Sequence, residues 1–218
     1  MEYLVTMTTH VPDGTPAAAV DDIRAREAAH TSELAARGQV LRLWRPPLGP
    51  GEWRTLGLFA APNTAELKLI LAGMPLKVWR TDEVKELTSH PNDPASTPSP
   101  DPLSSGGATA TEFLVLFIPD APAGASAKEL AEAMAAEAVR ARELAGQGHL
   151  VRLWQLPAED GVSSALGLWR AAGDAEMAAI LQALPVDPYV KTETTRLTPH
   201  PSDPAAPGSR ERMEEDNA

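Results

Sequence analysis

The stretch Arg42-Leu43-Trp44-Arg45 is the key to this sequence, because it returns 110 residues later as Arg152-Leu153-Trp154-Gln155. The same offset relates residues 2–94 to residues 112–204 without a gap, with about 34 identities in 93 aligned positions. Each copy has the length of a small domain rather than that of a solenoid repeat. The chain is therefore a tandem duplication of one domain.

Around that stretch, one copy contains four predicted strands and two predicted helices. Alternation and helical spacing of apolar residues, together with the positions of Pro and Gly, predict strands over 2–9, 39–45, 53–60 and 78–87, and helices over 16–37 and 64–73. The order β-α-β-β-α-β is typical of the ferredoxin-like fold, whose antiparallel sheet carries both helices on one face. We expect an α+β protein in which the two repeats pack sheet to sheet as an intramolecular α+β barrel, a pseudo-dimer, because each sheet otherwise leaves one face uncovered.

The composition along the chain predicts four segments. Residues 1–94 form repeat 1 and residues 111–204 form repeat 2. Residues 95–110 between them are rich in Pro, Ser and Gly, which is typical of a linker. Residues 205–218 have almost nothing apolar to bury, so we expect a disordered tail.

The overall composition excludes several classes of protein. The chain has 218 residues, a net charge of −11 and no cysteine, so it is neither a disulfide scaffold nor a zinc ribbon nor a cysteine-dependent enzyme. The negative charge disfavours nucleic acid and anionic membranes as partners, and five histidines without an i, i+4 pair disfavour a metal site. No apolar run approaches the ~20 residues of a membrane span, and the N-terminus lacks a signal-peptide pattern. We expect a cytoplasmic protein with a small-molecule substrate.

The first helix of each repeat carries a carboxylate on its apolar face. Glu27 lies seven residues from both Val20 and Leu34, which is nearly two helical turns, and Glu137 has the same place in repeat 2. A carboxylate on an inward face must be paired or have a raised pKa, which suits a general base. The alternatives are a structural ion pair with Arg42 or Arg152, or a helix edge that is open to water.

The strand that follows presents a cation and an indole two residues apart. Alternation places Val40, Arg42 and Trp44 on one face, and Arg152 and Trp154 repeat the last two. Such an arginine can bind a substrate carboxylate through two hydrogen bonds, and the indole can form the wall of an apolar pocket. The alternative is that these side chains only pack, with the arginine as the partner of the glutamate.

Two other positions are further candidates. Arg45 points to the opposite face of the strand and becomes Gln155 in repeat 2, so an anion site that uses Arg45 is weaker in the second copy. His90 and His200 each precede a proline at the end of a repeat, where a histidine can be catalytic or can simply mark the end of the strand.

These residues resemble the muconolactone delta-isomerases of aromatic catabolism, over about 186 of the 218 residues. The matching features, in chain order, are Met7-Thr8, Pro12, Ala25, Glu27, Gly38, Leu43-Trp44-Arg45, Met74-Pro75-Leu76, Glu83-Val84, Leu87 and His90-Pro91. In repeat 2 the run from Leu184 to Tyr189 is similar to the family's Leu-Pro-Leu-Phe-Pro-Tyr. In the family's own pattern a histidine stands at the position of Arg42 and Arg152.

The resemblance implies a reaction and a set of roles. Family members are one-repeat chains that form a ring-like decamer and move a double bond in a butenolide without a cofactor. Glu27 or Glu137 would then move the proton, and Arg42 or Arg152, with Arg45, would neutralise the enolate or the substrate carboxylate. Because repeat 2 has Gln155, we expect repeat 1 to dominate the turnover of an anionic lactone.

Two other functions remain open at this point. One is a family member that acts in secondary metabolism on a related enolisable acid, and the other is a ligand-binding or scaffold protein of the same fold without catalysis. Fusion of the two repeats raises their effective concentration to about millimolar or above, so the internal pair can stand alone. We expect a monomer or simple dimer in preference to a ring of five chains, although a larger homo-oligomer is compatible with the family.

Overall fold

The computed structural model of the chain describes residues 1–96, 110–158 and 163–206, which contain two successive βαββαβ repeats. The first repeat consists of β1 (Glu2–Thr9), α1 (Ala17–Ala36), β2 (Val40–Arg45), β3 (Arg54–Ala60), α2 (Thr64–Gly73) and β4 (Arg80–Ser89). The second consists of β5 (Thr111–Pro119), α3 (Ala127–Gly146), β6 (Leu150–Gln155), β7 (Ala165–Ala171), α4 (Asp174–Gln182) and β8 (Val190–Pro199). Most of the predicted linker and of the predicted tail lies outside the described residues.

All strand pairings are antiparallel. Within the first repeat β1 lies between β3 and β4, and β2 pairs with β3. The second repeat has the same arrangement: β5 lies between β7 and β8, and β6 pairs with β7. The hydrogen-bonded order of the eight strands is β1-β3-β2-β8-β5-β7-β6-β4. The predicted α+β class, with two ferredoxin-like repeats, is confirmed. No described helix is both long enough and apolar enough to cross a lipid bilayer.

The compact units of the chain differ from its sequence repeats at their ends. Unit 1 consists of Met1–Leu87 and the segment that begins at Thr198, and unit 2 consists of Thr88–Leu197. In unit 1 the end of β8 pairs with the end of β2, and in unit 2 the end of β4 pairs with the end of β6. Each unit is thus completed by the last residues of the other repeat.

Local sequence sets the ends of the elements that position the site. Gly38 follows α1 with a φ of 68°, a conformation that glycine adopts without the steric cost that other residues meet. Two residues after the end of α2, Pro75 begins a short 3₁₀ turn, Pro75–Trp79, that leads directly into β4. This turn packs against α1, and its first amide groups are therefore available to a side chain of that helix.

The face of Val40 differs from the prediction. The pairing register between β2 and β3 shifts between Val40 and Arg42, so the strand gains an irregularity there. Val40 consequently packs into the core of unit 1 together with Leu43, instead of sharing a face with Arg42 and Trp44. The prediction for Val40 was wrong because simple alternation assumes an uninterrupted pleat.

Candidate functional site

Unit 1 contains a cavity of about 340 Å³ whose walls come from β1, α1, β2, β3, the 3₁₀ turn Pro75–Trp79 and β4, and from the segment after β8. Met7, Leu43 and Met74 give it an apolar surface. The polar side chains that line it include Arg24, Glu27, Arg45, Trp53, Arg80 and His200. A pocket of this size and mixture, mostly apolar with a few converging polar groups, is typical of a site for a small molecule.

Glu27 is held in this cavity by two hydrogen bonds. Its Oε2 accepts a hydrogen bond from the backbone amide of Leu76, at the start of the 3₁₀ turn, with an N···O distance of 2.8 Å. Its Oε1 accepts one from Nη1 of Arg80 at 2.9 Å. The side chain is 12% exposed. Each carboxylate oxygen thus has one fixed donor and retains a further lone pair for another group. The alternative ion pair between Glu27 and Arg42 is not formed.

Arg80 is the partner of Glu27 that the sequence analysis missed. Its Nε donates to Oδ1 of Asp82 at 2.6 Å, and the other oxygen of Asp82 accepts Nζ of Lys77 at 2.8 Å. The guanidinium is therefore fixed by two carboxylates and can hold Glu27 in one orientation. The one signal in the sequence is the alternation of Arg80 and Asp82 on a strand, since both point to the same side of it.

Two more cations line the same cavity. Arg45 reaches it from the end of β2, and Arg24 reaches it from α1 with its guanidinium 5.5 Å from the centroid of the Trp53 ring. The structure therefore brings together Glu27 and Arg45 of the predicted site, and adds Arg24. Positive charge close to an apolar wall suits an anionic ligand with a hydrophobic body.

His200 enters unit 1 on the segment that follows β8. Its backbone amide donates to the carbonyl of Leu43 at 3.0 Å, and its Nδ1 accepts the amide of Ser202 at 3.1 Å. Burial, followed by the positive charges of Arg45 and Arg24, lowers the pKa of His200 to about 4. The ring is therefore neutral near pH 7.

Arg42 and Trp44, predicted to bind substrate, lie elsewhere and do not line the cavity. Arg42 is buried, and its Nη2 lies 3.0 Å from Oδ2 of Asp203 in unit 1. The carboxylate of Asp203 also accepts the amide of Leu43 at 3.0 Å. The guanidinium stacks on the ring of Trp44 at 4.9 Å from its centroid. This arrangement anchors the segment that carries His200.

Unit 2 has the same anchor. Arg152 lies 3.1 Å from the carboxylate of Asp93 and 4.9 Å from the centroid of the Trp154 ring. His90 repeats the contact of His200, because its Nδ1 accepts the amide of Asn92 at 3.1 Å. Arg152 and Trp154, which were predicted to bind substrate, therefore have the same contacts as Arg42 and Trp44.

The carboxylate of unit 2 lies in different surroundings. Glu137 accepts the amide of Val186 at 3.4 Å, and burial raises its pKa. Gln155, at the end of β6, donates to the hydroxyl of Ser163 at 2.9 Å. Three cations of unit 1 have uncharged counterparts at the equivalent positions: Met134 for Arg24, Gln155 for Arg45 and Val190 for Arg80. The two units thus share a carboxylate but differ in the charge around it.

Comparison with known protein families gives one match to each repeat. The model of the muconolactone delta-isomerase family matches residues 1–93 and 111–203. A muconolactone delta-isomerase from Cupriavidus pinatubonensis is 36% identical over 92 residues, which are 42% of this chain and 97% of that protein. Another, from Acinetobacter lwoffii, is 35% identical over 92 residues, 42% of this chain and 93% of that protein.

Solved structures resemble the chain over nearly its whole length. A chlorite dismutase from Candidatus Nitrospira defluvii has a TM-score of 0.58 at 12% identity, covering 98% of this chain and 94% of that one. A heme-binding protein from Thermus thermophilus has a TM-score of 0.55 at 14% identity, covering 98% of this chain and 96% of that one. Because the identities are so low, these likenesses concern the fold alone.

Proposed function

This chain belongs to the muconolactone delta-isomerase family, and from that premise we propose that unit 1 is a cofactor-free isomerase. It shifts a double bond by proton transfer in a small lactone that carries a carboxylate, as muconolactone does. The observation that supports the proposal is the presence of Glu27 in one cavity with Arg24 and Arg45. A base and an anion-binding group are the two requirements of this reaction on a charged substrate.

Glu27 is the proposed base. Its carboxylate removes a proton from the ring carbon γ to the lactone carbonyl, which gives a conjugated enolate, and returns the proton at the α carbon. The ring gains and loses one proton, so the reaction balances as an isomerisation. Arg80 and the amide of Leu76 limit the rotation of the Glu27 side chain. A carboxylate that is oriented before the substrate arrives loses little freedom in the reaction.

Arg45 and Arg24 are the proposed partners of the substrate carboxylate. Both cations line the cavity, and Arg24 is additionally held over the ring of Trp53. The apolar side chains Met7 and Leu43 exclude water from the lactone ring, and a poorly hydrated cavity strengthens electrostatic interactions within it. This proposal replaces Arg42 in the predicted binding set with Arg24, since the guanidinium of Arg42 is engaged with Asp203.

A ligand-binding role without catalysis is the alternative for unit 2. Its carboxylate has a raised pKa because of burial, and uncharged residues stand at the positions of the three cations of unit 1. An anionic lactone therefore has little to bind there. We propose that the isomerase activity resides in unit 1.

The decisive experiment measures the loss of muconolactone in a spectrophotometer with the wild-type chain, Glu27→Gln and the matched control Glu137→Gln. We expect Glu27→Gln to lower kcat by about 10²- to 10⁴-fold, because a general base contributes about that much. Glu137→Gln should leave kcat almost unchanged. A panel of other enolisable carboxylic acids tests the alternative that the protein acts in secondary metabolism on a related substrate. Wild-type protein that is inactive on the whole panel, or activity that depends on Glu137, would contradict the proposal.

A further inference from the structure

The proposed reaction develops negative charge on the lactone carbonyl oxygen, and His200 lies in the same cavity. We infer that Nε2 of His200 donates a hydrogen bond to this oxygen and stabilises the enolate. The inference rests on the proposed function and gives the cavity a catalytic group besides the base. A donor aimed at the atom where charge develops is among the most effective contributions that a site can make.

The turn formed by residues 200–203 fixes which nitrogen carries the proton. Nδ1 accepts the amide of Ser202 at 3.1 Å, so it has no proton of its own in this contact. A neutral imidazole has one N–H group, which must then be at Nε2. Because Nδ1 is turned to the backbone of its own segment, the Nε2 edge is the part of the ring that remains for a ligand.

The position of the ring is also fixed. The amide of His200 donates to the carbonyl of Leu43 at 3.0 Å, and the carbonyl of His200 accepts the amide of Asp203 at 2.8 Å. The side chain of Asp203 is in turn paired with buried Arg42. The turn is therefore attached to β2 at both ends, and a donor that is held in advance need not be ordered during the reaction.

The charges around the ring favour its neutral form. The charged groups that line the cavity with it are Asp21, Arg24 and Glu27 on α1, Arg45 on β2 and Arg80 on β4, and Asp203 lies on its own segment. Of these, Arg45 and Arg24 act on His200 most strongly and disfavour a second positive charge. A neutral imidazole can donate a hydrogen bond to an enolate without first losing a proton to Glu27.

Two substitutions separate this role from a structural one. The amide nitrogen of Gln reaches about the position of Nε2, whereas the shorter side chain of Asn reaches only that of Nδ1. We expect His200→Asn to lower kcat by about 10²- to 10³-fold with a smaller change in KM, as for the loss of one such donor. His200→Gln should retain at least about ten times the kcat of His200→Asn. The matched control, His90→Asn in unit 2, should leave kcat unchanged.

Each outcome has one interpretation. If the wild-type chain turns over no lactone, the proposed function fails and this inference fails with it. If Glu27→Gln is inactive but His200→Asn keeps its kcat, or changes KM alone, only the inference is overturned. Equal losses in His200→Gln and His200→Asn also overturn it. The ¹⁵N resonances of the wild-type ring give an independent readout, since we expect the Nε2–H tautomer with no protonation between about pH 6 and 8.

Discussion

Glu27 and Glu137 occupy equivalent positions on the first helix of the two repeats, yet Glu27 is ion-paired with Arg80 while Glu137 feels only the more distant charge of Arg140. In unit 1, Oε1 of Glu27 lies 2.9 Å from Arg80, which is itself bound to Asp82. In unit 2 the place of Arg80 is taken by Val190, and burial raises the pKa of Glu137. At this position of the last strand, unit 1 therefore has a guanidinium that pairs with the carboxylate, and unit 2 has an apolar side chain.

The buried ion pairs that anchor the ends of the repeats, one in each unit, are alike where the carboxylate surroundings differ. Arg42 with Asp203 and Arg152 with Asp93 have the same pairing, and each arginine lies at the same distance from its tryptophan. Both copies have thus kept the contacts that hold the chain together, while the residues around the carboxylate have diverged. We infer that the fold depends on the anchors, and we propose that the divergence around the two carboxylates is a difference in function.

The largest effect on stability is expected at the anchors and should be equal in the two units. Asp203→Asn and Asp93→Asn each leave a buried guanidinium without its anion, which costs about 3–5 kcal/mol of unfolding free energy. Denaturant unfolding of both variants measures it. Asp203→Asn should also lower the activity of unit 1, because it releases the turn of His200, whereas Asp93→Asn should not. A loss of stability in only one of the two variants would contradict the equivalence of the two buried ion pairs.

A smaller effect is expected from giving unit 1 the residue of unit 2. Arg45→Gln removes a charge-assisted hydrogen bond worth about 1.5–3 kcal/mol, so KM for an anionic lactone should rise about 10- to 150-fold. The reciprocal change, Gln155→Arg, should add nothing to the activity of unit 1, because Val190 still leaves Glu137 without the partner that Arg80 provides. Steady-state kinetics on both variants measure this. An unchanged KM in Arg45→Gln would show that the substrate carboxylate binds elsewhere.

The smallest expected effect is on stability, which should fall in Glu27→Gln and rise in Glu137→Gln. Glu27→Gln removes the anion that faces Arg80 and should lower the free energy of unfolding by about 1–2 kcal/mol. Glu137→Gln should raise the melting temperature at neutral pH, because burial raises the pKa of Glu137 and the folded state loses stability as this group ionises. The gain should vanish below the ordinary pKa of 4.5, where Glu137 is protonated in both states. Thermal unfolding between pH 4 and 7 measures both changes, and a common sign would contradict the comparison.

The sequence by itself determined the order of the elements and the duplication. The predicted strand 2–9 and helix 64–73 have the bounds of β1 and α2, because alternation, helical spacing, Pro and Gly act within a few residues. Helical periodicity also placed Glu27 on the inward side of α1. The predicted last strand, 78–87, begins two residues later, since the 3₁₀ turn from Pro75 extends to Trp79.

Only the tertiary structure decided which groups meet. Arg42 pairs with Asp203 although 161 residues separate them, and His200 joins the cavity of unit 1 although it lies at the end of repeat 2. Glu27 pairs with Arg80, on another strand, rather than with Arg42. Such pairs depend on strand register, on the irregularity in β2 and on the exchange of the repeat ends. None of these leaves a local pattern in the sequence, because each is fixed by contacts between elements that are far apart along the chain.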